Sequence, residues 1–219
     1  KGNLTGFAML SGRTALVVFG SNQRFGGVTV TPQDVAKCFI FDTGDDAAWN
    51  CEMFLDGSDV GLTTSAEKIK SIAVSNRGTL LVTFTGKAKV PGYAGKSFTA
   101  DNEDIQEINV TSFGTNTAGT WNIAFDGSDV GTAPVRLESL WMSPHDYDIW
   151  QSFEKKITVP HDLQLDLSDI ASCQGPTFGA NSKCNSQFQE EIDATDIGLP
   201  ASAVIDALDL GSSLPLNIP

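Results

Sequence analysis

The chain has 219 residues, 41% of them hydrophobic, with 14 basic against 27 acidic side chains and a formal net charge of −13. That balance argues against nucleic acid or anionic lipid as a partner, because both require basic patches. No apolar run approaches the length of a membrane span, and the apolar content suffices for a packed core. The chain begins at Lys1 with neither Met nor an apolar leader, which reads as a trimmed mature chain or an engineered fragment.

In chain order, Gly6–Leu10 (GFAML) and Thr14–Gly20 (TALVVFG) read as the first two strands, and Ser21–Thr31, with Arg24, Phe25 and a Gly pair, as a surface loop. After Asp34-Val35 comes the block FLDGSDVGL, Phe54–Leu62. It returns as FDGSDVG at Phe125–Gly131, with Asp126 seventy residues beyond Asp56, and more weakly as DATDIGL at Asp193–Leu199. Upstream, Asp34-Val35, Asp104-Ile105 and Asp169-Ile170 stand at matching offsets, and downstream Ile69/Ile72, Leu137/Leu140 and Ile205/Leu208 do the same. Three anchors at one spacing define a repeat. The chain is therefore read as one repeat domain over 1–219, with units at about 4–62, 63–132 and 133–199, then an extra strand and tail over 200–219.

The second unit shows the strand pattern best. Ser71–Ser75, a turn at Asn76-Arg77-Gly78, and Thr79–Thr85 form a hairpin; Gly86–Ala100 is a loop carrying Lys87, Lys89 and Lys96; Asp104–Val110 alternates polar and apolar; Thr120–Phe125 runs into the block. The fold expected is all-β, three four-stranded antiparallel repeats, β-propeller-like, with a β-sandwich as the alternative.

Cys38 and Cys173 each follow their unit's upstream Asp by four residues, and each has a second cysteine shortly after, Cys51 and Cys184; the middle unit has Ile108 instead. Only the pairing Cys38–Cys51 and Cys173–Cys184 respects the repeat. Neither pair has the tight spacing of a zinc site. Two disulfides imply a secreted or cell-surface location.

Three features carry candidate chemistry. In the blocks, Asp-Gly favours a turn, while Asp56, Ser58 and Asp59, Asp126, Ser128 and Asp129, and Asp193 and Asp196 offer oxygens that could receive calcium, the one cofactor considered. In unit 3, Ser143–Trp150 replaces the short turn and gathers His145, Asp146, Tyr147, Asp148 and Trp150, residue types suited to a glycan surface, to metal or to general-base work. Asn3 and Asn109 fit the glycosylation sequon. His161 reads as surface. No nucleophile elbow, P-loop, zincin or dinucleotide fingerprint is present.

The block together with the AEKI-type segment after it and TAGTW before it resembles a repeat of uncharacterised secreted bacterial proteins, over nearly the whole chain but least around Cys173–Gln189. The resemblance implies export and a repeated β-fold; it brings no site residues. The expected function is a non-enzymatic structural or binding module. The rivals are a calcium-dependent lectin or adhesin and a propeller-type hydrolase using His145. Because Ala203–Leu210 looks like a surplus first strand, a β-edge is expected to be left over unless that strand closes against the first unit as a clasp; the favoured outcome is a homo-oligomer, as a dimer of half-rings or an open fibre.

Overall fold

The structure, a computed structural model, describes residues 3–41 and 48–211. Each unit builds one antiparallel four-stranded sheet. In unit 1 the sheet order is β1 (Leu4–Ser11), β2 (Thr14–Phe19), β5 (Val35–Ile40) and β6 (Trp49–Leu55), with β3 (Gln23–Phe25) and β4 (Val28–Val30) as a separate small hairpin. Unit 2 repeats this with β7 (Ile69–Val74), β8 (Leu80–Phe84), β11 (Ile105–Ser112) and β12 (Ala118–Phe125), plus the hairpin β9 (Ala88–Pro91) and β10 (Ser97–Ala100). Unit 3 has β13 (Leu137–Met142), β14 (Ile149–Phe153), β17 (Ile170–Thr177) and β18 (Lys183–Ile192), plus β15 (Ile157–Val159) and β16 (Leu163–Leu165). The strands of the three sheets agree with the expected ones to within a few residues at their ends.

The segments read as surface loops differ. Ser21–Thr31 and Gly86–Ala100 each hold a two-stranded hairpin, and so does the region around Pro160. Their alternate residues are apolar and buried, among them Val30, Val90, Ala100 and Leu165, so each hairpin closes part of the core. Lys87 pairs with Asp101 at 2.8 Å on the outside.

Alternation along the strands decides how the sheets stack. Leu16 and Val18 of unit 1 face Ile72, Val74, Val82 and Trp121 of unit 2 in one core. The other face of unit 2, with Ala73, Leu81 and Phe125, packs on Leu140, Met142 and Phe153 of unit 3. A third cluster lies on the far face of unit 1, around Val17, Phe19 and Cys38. The first strands β1, β7 and β13 are edge strands of their sheets, and β7 packs against both β1 and β13.

The surplus strand is not formed. Residues 203–211 lie without strand pairing, held within their own chain. The Met9 amide donates to Asp209 Oδ2 at 2.5 Å, Lys70 Nζ meets Asp206 at 2.9 Å, Ser152 Oγ donates to the Ile205 carbonyl at 3.1 Å, and Leu208 is buried. Side-chain carboxylates here take the place of a backbone ladder, so residues 203–211 add no surplus strand to a sheet. The rest of the tail, 212–219, lies outside the described residues.

Both expected disulfides are present, Cys38–Cys51 and Cys173–Cys184. They are not equivalent in register. Cys38 and Cys51 are cross-strand partners, whereas Cys173 faces Phe188 and its bond reaches to Cys184, four residues nearer the turn. In unit 2 the Cys38–Cys51 slot is filled by the pair Ile108–Trp121.

Candidate functional site

The three upstream aspartates share one local role. Asp34 Oδ1 accepts from the Gly57 amide at 2.8 Å and Asp104 Oδ1 from Gly127 at 3.0 Å, each tying the start of a strand to its block. In unit 3 the corresponding contact from Ala194 to Asp169 stretches to 3.4 Å. Burial raises the Asp34 and Asp104 carboxyls, the latter to about 6, against the lowering effect of the amides that donate to them.

Within each block the first Asp caps the turn. Asp56 Oδ1 accepts from Ser58 N and Oγ at 3.1 and 2.6 Å, Asp126 Oδ1 from Ser128 at 3.0 and 2.6 Å, and Asp193 Oδ1 from Thr195 at 2.9 and 2.6 Å. The Asp193 carboxyl is lowered by its bonds from Thr195. The second Asp points elsewhere, across to the next unit. Asp59 Oδ2 accepts from the Thr117 amide and Asp129 Oδ2 from the Ser182 amide, both at 2.9 Å. The carboxylates of one block therefore serve different partners, and the hydrogen bonds alone account for their recurrence. A close carboxylate grouping among the described residues is Asp169, Glu190 and Asp193, whose oxygens lie within 4.8 Å of one another. Burial first, then the neighbouring Asp169, raises the Glu190 carboxyl.

The unit-3 turn residues separate. Asp146 and Tyr147 line an open cleft of about 870 Å³ between units 2 and 3. His145, Asp148 and Trp150 are not part of its wall. Asp148 Oδ1 accepts from the Gly175 amide at 2.7 Å, which fixes the loop, and burial raises its carboxyl. Trp150 lies edge-on to Trp141 on the strand pair β13–β14. His145 is exposed, as are Asn3 and Asn109. His161 is also exposed and borders a smaller pocket of about 220 Å³ with Asp129 and Lys183.

The cleft wall adds residues that had no functional role assigned from sequence: Asn76 and Arg77 from the first hairpin turn of unit 2, Glu107 from β11, and Phe178 from the β17–β18 turn. Their signal was positional. Asn76-Arg77-Gly78 and Ser143–Trp150 are the same turn in successive units, so stacking places them side by side. Thr79 Oγ1 donates to Glu107, which anchors that carboxylate in the wall.

One substitution explains why the cleft opens at this junction. Between units 1 and 2, Phe113 stacks on Phe54 with ring centroids 4.3 Å apart. Between units 2 and 3 the repeat puts Ala124 where Phe54 stands, so Phe178, the counterpart of Phe113, has no stacked ring among the described residues and stays 42% exposed. Both Ala124 and Phe178 line the cleft. Tyr147, 46% exposed and in the left-handed region at φ 67°, supplies a second aromatic surface.

No protein-family profile, curated protein or solved structure matches the chain.

Proposed function

We propose that the protein is a non-enzymatic, secreted or cell-surface binding module whose three sheets are arranged as propeller-like blades and whose cleft between units 2 and 3 takes a glycan. The observation that carries this reading is the meeting of two exposed aromatic rings, Tyr147 and Phe178, with Asn76, Arg77, Glu107 and Asp146 in one cleft. Sugar rings offer an apolar C–H face to an aromatic ring and hydroxyls that both donate and accept. A concave wall with a few convergent polar groups suits them. Export is supported by the two disulfides. No helix among the described residues is long and apolar enough to cross a membrane.

The test is a glycan array on the intact protein. Tyr147→Ala and Phe178→Ala each weaken a retained glycan by about tenfold or more, the equivalent of roughly 1.4 kcal/mol. Ala124→Phe restores the ring found at the other junction and abolishes binding while the fold persists. A retained glycan that binds all three variants as well as the parent overturns the reading, as does an array with no glycan retained. Cleavage of the glycan that is lost in His145→Ala would move the assignment to a hydrolase.

A further inference from the structure

The two junctions between units share one set of four hydrogen bonds. At the first, the Gly114 amide donates to the Phe54 carbonyl at 2.8 Å, the Asp56 amide to Thr117 Oγ1 at 2.8 Å, and the Thr117 amide to Asp59 Oδ2 at 2.9 Å. Thr117 Oγ1 then donates to the Gly114 carbonyl at 2.7 Å. At the second, Gly179 donates to the Ala124 carbonyl at 2.7 Å, Asp126 to Ser182 Oγ at 2.8 Å, Ser182 to Asp129 Oδ2 at 2.9 Å, and Ser182 Oγ to the Gly179 carbonyl at 2.6 Å. In each case a turn of sequence Phe-Gly-x-Asn-Ser/Thr from one unit seats on the block of the unit before it.

The third block keeps the same turn, and among the described residues none is seated on it. Gly198 has φ 89°, against 92° and 81° at Gly61 and Gly131. The Leu199 amide donates to the Ala194 carbonyl as Leu62 does to Gly57 and Thr132 to Gly127. Among the described residues, none donates to the Asp196 carboxylate and none accepts from the Asp193 amide. The apolar part is bare too: Ile197 is 71% exposed, where its counterparts Val60 and Val130 are 1% and 6%. Leu199 is 42% exposed, against 1% for Leu62. The exposure of this patch is what remains when one partner is taken from an interface the molecule forms twice.

We propose that the third block, Asp193–Leu199, is a preformed docking site for a further repeat unit, which it takes by that unit's Phe-Gly-x-Asn-Ser/Thr turn. The turn's Ser or Thr hydroxyl accepts from the Asp193 amide, its amide donates to Asp196 Oδ2, and the hairpin covers Ile197 and Leu199. The turn is already formed, with Gly198 left-handed and the Leu199 amide bonded to the Ala194 carbonyl, so the ordering cost is small.

The probe is the peptide of residues 173–184 closed by its own Cys173–Cys184 disulfide, which carries Phe178, Gly179 and Ser182. It is titrated into the intact ¹⁵N-labelled protein. Amide shifts concentrate at Asp193, Asp196, Ile197 and Leu199. They weaken about tenfold or vanish when the peptide carries Ser182→Ala or the protein carries Asp196→Ala, a change at an exposed side chain that leaves the fold intact. Absence of shifts at 193–199 up to about 5 mM peptide, the weak end of specific affinity, overturns the proposal. So does equal binding of the Ser182→Ala peptide, or a response confined to the cleft or any other surface.

Discussion

At the scale of single residues, close approach explains the block. A Cβ on Gly57 would lie 2.1 Å from the Gln33 carbonyl oxygen, and one on Gly127 2.3 Å from that of Glu103. Only glycine lets the backbone come near enough for the short bonds to Asp34 and Asp104. Ala194 carries a Cβ, and its bond to Asp169 is correspondingly long at 3.4 Å. The buried Asp104 also gives the protein a pH response. Its carboxyl is raised from 3.8 to about 6 by burial, with the Asp126 and Glu103 charges adding to the effect. Between those values the folded protein binds more protons at this site than the unfolded chain, so stability from this group is greatest below the lower value and falls as pH rises through the upper one. The shift corresponds to roughly 3 kcal/mol. The Asp104 carboxyl carbon is expected to titrate with a midpoint near that raised value in NMR. Asp104→Asn should flatten the fall in melting temperature across the same interval, and an unchanged slope would count against this account.

At the scale of elements, each sheet is secured across β5–β6 or its counterpart, but by different means. Units 1 and 3 use a disulfide; unit 2 uses Trp121, fully buried opposite Ile108, whose indole Nε1 donates to the Val60 carbonyl at 2.9 Å across the junction. Cys38 and Cys51 close a short loop, with a sequence separation of 13. In the loop-entropy account such a bond contributes about 3 kcal/mol. The double variant Cys38→Ser/Cys51→Ser is therefore expected to melt roughly 6–12 °C lower by calorimetry. A loss of only a degree or two would mean that the sheet pairing alone restrains those strands. The strands and the disulfide pairing were legible in the sequence because alternation and repeat spacing are local. The small hairpins were not, since strands of three or four residues separated by Gly and Pro carry too little period to be recognised.

For the whole molecule, the C-terminal segment joins all three units. Lys70, Glu138 and Asp206 hold the same position in successive repeats and meet in one cluster: Lys70 Nζ bonds Glu138 and lies 2.9 Å from Asp206, while Arg136 shares Glu138. Lys70 and Glu138 are buried. Removing one partner of a buried pair typically costs roughly 3–5 kcal/mol, and Arg136 keeps this case at the low end. Lys70→Ala is expected to lower stability by that amount and to speed hydrogen exchange selectively over 203–211. Exchange there unaltered by the substitution would show that Leu208 and Asp209 hold the segment without the ion pairs. The net charge of −13 makes this buried cation the more consequential.

The sequence by itself determined the repeat, the sheet strands, the two disulfides and the turn-forming blocks. Each of these is written in residues within one unit, through side-chain alternation, the conformational freedom of glycine and short-range hydrogen bonds. Tertiary structure alone decided what the blocks do. Asp59 and Asp129 find their amides 58 and 53 residues away in the next unit, a pairing that exists only once the sheets stack. It also decided that His145 and Trp150 stand apart from Asp146 and Tyr147, because neighbours in a turn point in different directions. The cleft depends on one side chain, Ala124 in place of a phenylalanine. Its consequence cannot be seen until the position is known to face Phe178 across a junction. Side-chain size shapes the cleft here only through the relative placement of the sheets, and that placement is a property of the packed molecule.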